Sequence, residues 1–171
     1  VDESLDELCI SLLQSIDSPN GSEEFPLKLE AAHDINQDGY PDLWASAKDD
    51  DDNGIIMAIS GFDDEVLWSI TGGSGFAAEF QSLQISSGDY ILVVHDDDDE
   101  LLYVYDMNGI ALIVLAGSQD QDLSELSFNA AQISDQGYQG LLLGNPNENC
   151  LTFGRACGAV SLIKFNSLDD L

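Results

Sequence analysis

The sequence predicts an all-β protein with a short N-terminal helix. Three observations carry this: eleven short extended runs after residue 25, turn clusters between them, and recurrence of the pattern about every 49 residues. Taking the elements in order, residues 1–25 stand apart. Leu5, Leu8, Cys9, Leu12, Leu13 and Ile16 fall at i, i+3, i+4, i+7, i+8 and i+11, one face of a helix. Ser4 is placed to cap it with Glu7 three residues on, and Pro19-Asn20-Gly21 stops it. The apolar stripe is expected to cover the body of the domain or to dock on a partner.

The runs that follow are LKLEAA, DLWASA, GIIMAIS and EVLWSI, then FQSLQI, YILVVH, LLYVYD and IALIVLA, then LSFNAAQI, GLLLG and GAVSLIKF. Met107-Asn108-Gly109 reads as a tight hairpin turn, because Asn-Gly tolerates positive φ. Aligning Gly39, Gly88 and Gly137 sets the period and divides the body into units 26–75, 76–122 and 123–171. About four strands per unit is the pattern of a propeller blade. The third unit stops short of its fourth strand, and three blades are too few to close a ring. A fragment of a longer propeller, completion against neighbouring copies, and a non-ring packing all remain open.

Composition bounds the function. A chain of 171 residues with 44% apolar content suits one domain with a real core. Thirty-three acidic residues face four basic ones (Lys28, Lys48, Arg155, Lys164), for a formal charge of −29. Such a surface repels nucleic acid and anionic membrane, and favours cations and salty or calcium-rich surroundings. No apolar run is long enough to span a bilayer, so membrane insertion is not expected. No basic segment followed by an apolar stretch opens the chain, so secretion would mean a signal already removed. Cys150 and Cys157 are spaced for a disulfide across a hairpin loop, worth roughly 2 kcal/mol if unstrained. Cys9 is left over, either buried and free or paired outside the chain. With no CxxC and no Cys/His cluster, zinc is not expected.

One loop carries recognisable chemistry. Asp34-x-Asn36-x-Asp38-Gly39-Tyr40-x-Asp42 sets oxygen donors at alternate positions, with Gly39 free to bend sharply. Calcium takes six to eight hard oxygens at about 2.3–2.6 Å. Here Asp34, Asn36, Asp38 and Asp42 side chains and the Tyr40 carbonyl are the expected ligands. An EF-hand would need a Glu at loop position 12, where this chain has Ala45. A metal-free Asx turn is the plainer alternative.

HDINQDGYPDLWASA resembles the calcium loop and following strand of FG-GAP (integrin α-type) β-propeller repeats. The segment from Phe128 to Phe165, with GLLLGNP and GAVSLIKF, resembles the same repeat. The second unit matches weakly, and specificity is high only over 33–47 and 139–165. The resemblance implies a propeller fold, calcium in the first unit, and an extracellular or cell-surface protein working by adhesion, attachment or self-assembly. The corresponding loops of the other units, Ser86-Ser87-Gly88-Asp89 and Ser134-Asp135-Gln136-Gly137-Tyr138-Gln139-Gly140, lack the carboxylates, so no metal role carries over to them. GFDDEVLWSITG and YVYDMNGIALIVLAG resemble Trp-containing quinoprotein-like propeller repeats, without implying a quinone.

The remaining features read as structural. The tracts Asp49–Asp52 and Asp96–Glu100 are expected to be solvated loop tips, with weak cation binding as the alternative. His33 and His95 each adjoin Asp, but no nucleophile is placed beside them, so packing or surface roles are expected and no enzyme activity is assigned. Trp44 and Trp68 belong to the core. Asn20-Gly21-Ser22 is the sole glycosylation acceptor pattern. Partners are expected to be other protein chains or copies of this one, with Cys9 or the N-terminal helix as possible contacts. A filament subunit and a polysaccharide-active propeller enzyme are the rival readings.

Overall fold

A computed structural model describes residues 15–18, 24–116, 126–133, 135, 138–146, 158–165 and 167. Each of the eleven predicted runs forms a strand. The first sheet is a meander of β1 (Glu24–Ala31), β2 (Leu43–Lys48), β3 (Gly54–Ile59) and β4 (Val66–Thr71). The second repeats it with β5 (Phe76–Gln84), β6 (Tyr90–Asp96), β7 (Leu101–Tyr105) and β8 (Ala111–Ala116). The third holds β9 (Ser127–Gln132), β10 (Gln139–Asn145) and β11 (Ala159–Ile163) in the order β11-β10-β9. All pairings are antiparallel. The architecture is all-β, as expected, but the three sheets form a stack rather than a closed propeller.

Of the expected helix, only Ser15–Ser18 are described, and they carry no regular structure. Leu5 to Leu13, Cys9, Asn20, Cys150 and Cys157 lie outside the described residues. Ile16, the last residue of the apolar stripe, packs on the rear of the first sheet beside Ala45, Ala47, Met57 and Ile59.

The second strand of each sheet is apolar on both faces, which is why these runs do not alternate. On β6, Ile91 and Val93 face the third sheet, while Leu92 and Val94 face the first. Two apolar layers result. Trp44, Ile56 and Ala58 of the first sheet meet Phe80, Leu92 and Val94 of the second. Leu83, Ile91, Val93 and Val104 of the second meet Leu141 and Leu143 of the third.

The sheets are also joined by polar side chains. Lys28 on β1 donates to Glu79 Oε2 (2.5 Å) and to the Phe80 carbonyl (2.8 Å) on β5. Glu30 on β1 accepts from the Ser82 hydroxyl at 2.6 Å and from Gln81 at 2.8 Å. Gln139 Oε1 accepts from the Gln84 amide at 2.9 Å, linking the third sheet to the second.

Candidate metal centre

Each sheet closes its first turn in the same way. The amide after the first strand donates to the carbonyl just before the second: Ala32 to Asp42 (2.8 Å), Ile85 to Asp89 (2.9 Å) and Ile133 to Tyr138 (2.9 Å). Nine residues (33–41) lie inside the first of these closures, against three (86–88) and four (134–137) in the others. The first turn therefore holds two to three times the chain enclosed by the other closures. All the side-chain donors predicted from sequence, save Asp42 at its end, fall in that excess.

The loop is organised by its own carboxylates. Asp34 accepts from the Asp38 amide at 3.0 Å through Oδ1 and from the Gly39 amide at 2.8 Å through Oδ2. Asn36 Oδ1 accepts from the Asp38 amide at 3.1 Å, and its Nδ2 donates to Asp38 Oδ2 at 2.8 Å. Asp38 Oδ1 accepts from the Tyr40 amide at 2.8 Å. Gln37 (φ 61°) and Gly39 (φ 95°) make the left-handed bends that turn these groups inward, the freedom expected of Gly39.

Asp42 differs from the others. It is 1% exposed, and its two oxygens accept the Ile35 amide at 2.7 Å and the Gly61 amide at 3.1 Å. Its carboxylate thus clamps the loop to the turn between β3 and β4. Around the clamp, the Tyr40 ring lies 5.0 Å from Phe62, and Ser60 Oγ is 3.5 Å from Asp38 Oδ2. A Cβ on Gly61 would stand 2.0 Å from the Pro41 carbonyl oxygen, so only glycine fits there. Ser60, Gly61 and Phe62 are site residues that sequence reasoning missed. They lie about twenty residues downstream, and no local pattern announces the contact.

His33 opens the loop and stacks on Tyr90 of the second sheet, with centroids 4.1 Å apart and planes at 14°. Burial holds its pKa below the usual value, against the opposing pull of Asp42 and Asp34. Its Nδ1 is buried without a hydrogen-bond partner. The role is packing, as expected; His95, 2% exposed and edge-on to Phe128, is likewise interior.

The donor set suits a hard divalent ion: carboxylates and an amide oxygen, without thiols. In the present arrangement these oxygens address loop amides, and among the described residues no three acidic, His or Cys side chains converge as a ready cage. Asp34, Asn36 and Asp38 share one turn, and Asp42 is buried beneath it as an anchor.

The acidic tracts have exposed tips at Asp50–Asp52 and Asp98–Glu100, as expected, while the first residue of each is held by the turn. Asp49 accepts from the Asp51 and Asn53 amides at 3.0 and 2.9 Å, and these bonds with Asn53 hold its carboxyl below the usual range. Asp96 is 2% exposed and accepts from the Asp99 amide, and Asp98 accepts from the Ser74 hydroxyl. Trp44 is fully buried, 5.2 Å from Trp68, as expected of core residues. No protein-family model matches the chain, and no curated protein proves similar to it. Among the described residues, no helix is long and apolar enough to cross a membrane.

Proposed function

We propose that this chain is a calcium-stabilised extracellular β-sheet module that works by interaction, in adhesion, surface attachment or self-assembly, on a propeller-type scaffold akin to FG-GAP repeats. The observation that carries this reading is the lengthened first turn. Its excess residues supply Asp34, Asn36 and Asp38, while the buried Asp42 fixes the turn to the sheet. Asp34, Asn36, Asp38 and the Tyr40 carbonyl would hold the ion, with Asp42 completing or supporting the set. The ion would supply charge neutralisation inside a chain of net charge −29. No catalytic role is assigned.

Binding to the folded state alone stabilises it by mass action, about 2.7 kcal/mol at a free ion level 100 times Kd. For a domain this size that is roughly 5–10 °C in Tm. Calorimetric melting of calcium-loaded protein against protein in EGTA measures it. An unchanged midpoint, together with no heat in a calcium titration, defeats the proposal.

A further inference from the structure

Among the described residues, only two aromatic side chains are more than half exposed, and the fold puts them side by side. Tyr40 is 51% exposed and Phe62 59%, whereas Trp44 and Phe80 are fully buried. The pair comes from different turns, Tyr40 from the β1–β2 loop and Phe62 from the β3–β4 turn. Their ring centroids lie 5.0 Å apart with planes at 34°.

The backbone under both rings is tied down. The Tyr40 amide donates to Asp38 Oδ1 at 2.8 Å, the Gly61 amide to Asp42 Oδ1 at 3.1 Å and the Phe62 amide to Ser60 Oγ at 3.2 Å. The Ser60 amide donates to the Glu65 carbonyl at 2.8 Å, and its carbonyl accepts from the Asp64 amide at 3.2 Å, closing the turn. A fixed platform of this kind loses little freedom when a ligand stacks on it.

The platform borders the proposed ion. Tyr40 brings its carbonyl to the expected ligand set, and Asp38 Oδ2 is 3.5 Å from Ser60 Oγ at the foot of Phe62. Residues 36–40 are all exposed, with Asp42 buried beneath them. The outer side of the loop therefore offers Asp34, Asn36, Asp38 and the Tyr40 carbonyl to an ion that takes six to eight oxygens. An ion held there keeps positions for oxygens from solution, next to two apolar ring surfaces.

We propose that the loop and the ring pair together bind a neutral sugar residue of a polysaccharide. The C–H face of a pyranose covers the Tyr40 and Phe62 rings, and paired hydroxyls on its edge replace water on the ion without adding charge. Asp63, exposed and next to Phe62, accepts a further hydroxyl. A chain of net charge −29 repels uronate and sulfated polymers, so the ligand is an uncharged one. This inference rests on the calcium reading and gives surface attachment its partner.

Affinity electrophoresis of the full chain through native gels containing mannan, β-glucan or galactan tests it, with calcium and again in EGTA, beside a calcium titration by calorimetry. The expected result is retardation by at least one of the three polymers in calcium, lost in EGTA. Phe62→Ala should weaken that binding about 10-fold or more while its calcium titration matches the parent, because Phe62 supplies no ion ligand. Tyr40→Ala, which keeps the backbone carbonyl, should do the same. Circular dichroism checks that each variant keeps its sheet. No retardation by any of the three polymers although calcium binds, equal retardation in EGTA, or a folded Phe62→Ala protein retarded like the parent would each overturn the inference. A chain that takes up no calcium defeats the calcium reading itself, and this inference with it.

Discussion

Replacing Asp42 by alanine tests whether the loop is anchored from beneath, independent of any ion. The substitution removes the acceptor for two part-buried amides, those of Ile35 and Gly61. A hydrogen bond to a charged group contributes about 1.5–3 kcal/mol, and a buried donor left without one bears a desolvation penalty as well. Both amides retain some access to water, which argues for the lower end, about 3 kcal/mol in total. That corresponds to a fall of roughly 6–12 °C in Tm. The loss should appear in EGTA, by urea unfolding followed through tryptophan fluorescence. Asp34→Ala and Asp38→Ala should each cost under about 1 kcal/mol in the same buffer, since their bonds are exposed and water replaces them. Asp42→Asn should fall between, keeping one acceptor oxygen while turning an amide donor toward a backbone N–H. If Asp42→Ala unfolds within about 0.5 kcal/mol of the parent in EGTA, the anchor argument is wrong.

Three further outcomes follow from geometry. Gly61→Ala places a methyl 2.0 Å from the Pro41 carbonyl oxygen, so it should displace the loop, cost at least about 2 kcal/mol and weaken calcium uptake in titration calorimetry. Gly109→Val meets both a left-handed φ of 77° and the Trp68 ring 3.0 Å away, and should destabilise by about 2 kcal/mol with a changed tryptophan emission spectrum. Tyr105, held to a pKa of about 12 by burial and by neighbouring Tyr103 and Asp96, keeps its proton after the unfolded chain has lost one near 10. Stability should therefore be full below pH 10 and fall as pH rises from there toward 12, and Tyr105→Phe should remove that part of the alkaline loss in unfolding titrations.

The strands were legible because each is a run of β-type apolar residues bounded by Gly, Asp or Asn. GIIMAIS shows why: strands covered on both faces read as continuous apolar runs, with no alternation required. The turn at Asp106–Ile110 was legible for the same local reason, and Asp106 Oδ1 indeed accepts the Asn108 and Ile110 amides at 2.9 and 2.8 Å. What the sequence hid was non-local. Asp42 looked like one more cation ligand at the end of a motif, and only the fold shows its oxygens also accepting the Ile35 and Gly61 amides. Asp96 looked like the start of a solvated tract, yet it ends β6 in the interior, where the ladder pairs it with Phe76 and Leu101. The joints through Lys28, Glu30 and Gln139 span more than fifty residues and follow no spacing rule.

These contacts would give the proposed ion in the first loop a route to the rest of the molecule. Asp34, Asn36 and Asp38 hold the loop's amides, Asp42 joins it to the β3–β4 turn, and His33 stacks on Tyr90 of the second sheet. The proposed ion, by neutralising the loop's carboxylates, would tighten a junction between two sheets, not an isolated tip. The second and third closures enclose three and four residues, and those stretches carry no comparable set of acids in sequence. Coupling of this kind requires that calcium slow amide hydrogen exchange at Tyr90 and Ile91 on β6 as well as at residues 34–42. Protection confined to the loop would show that the His33–Tyr90 stack transmits nothing.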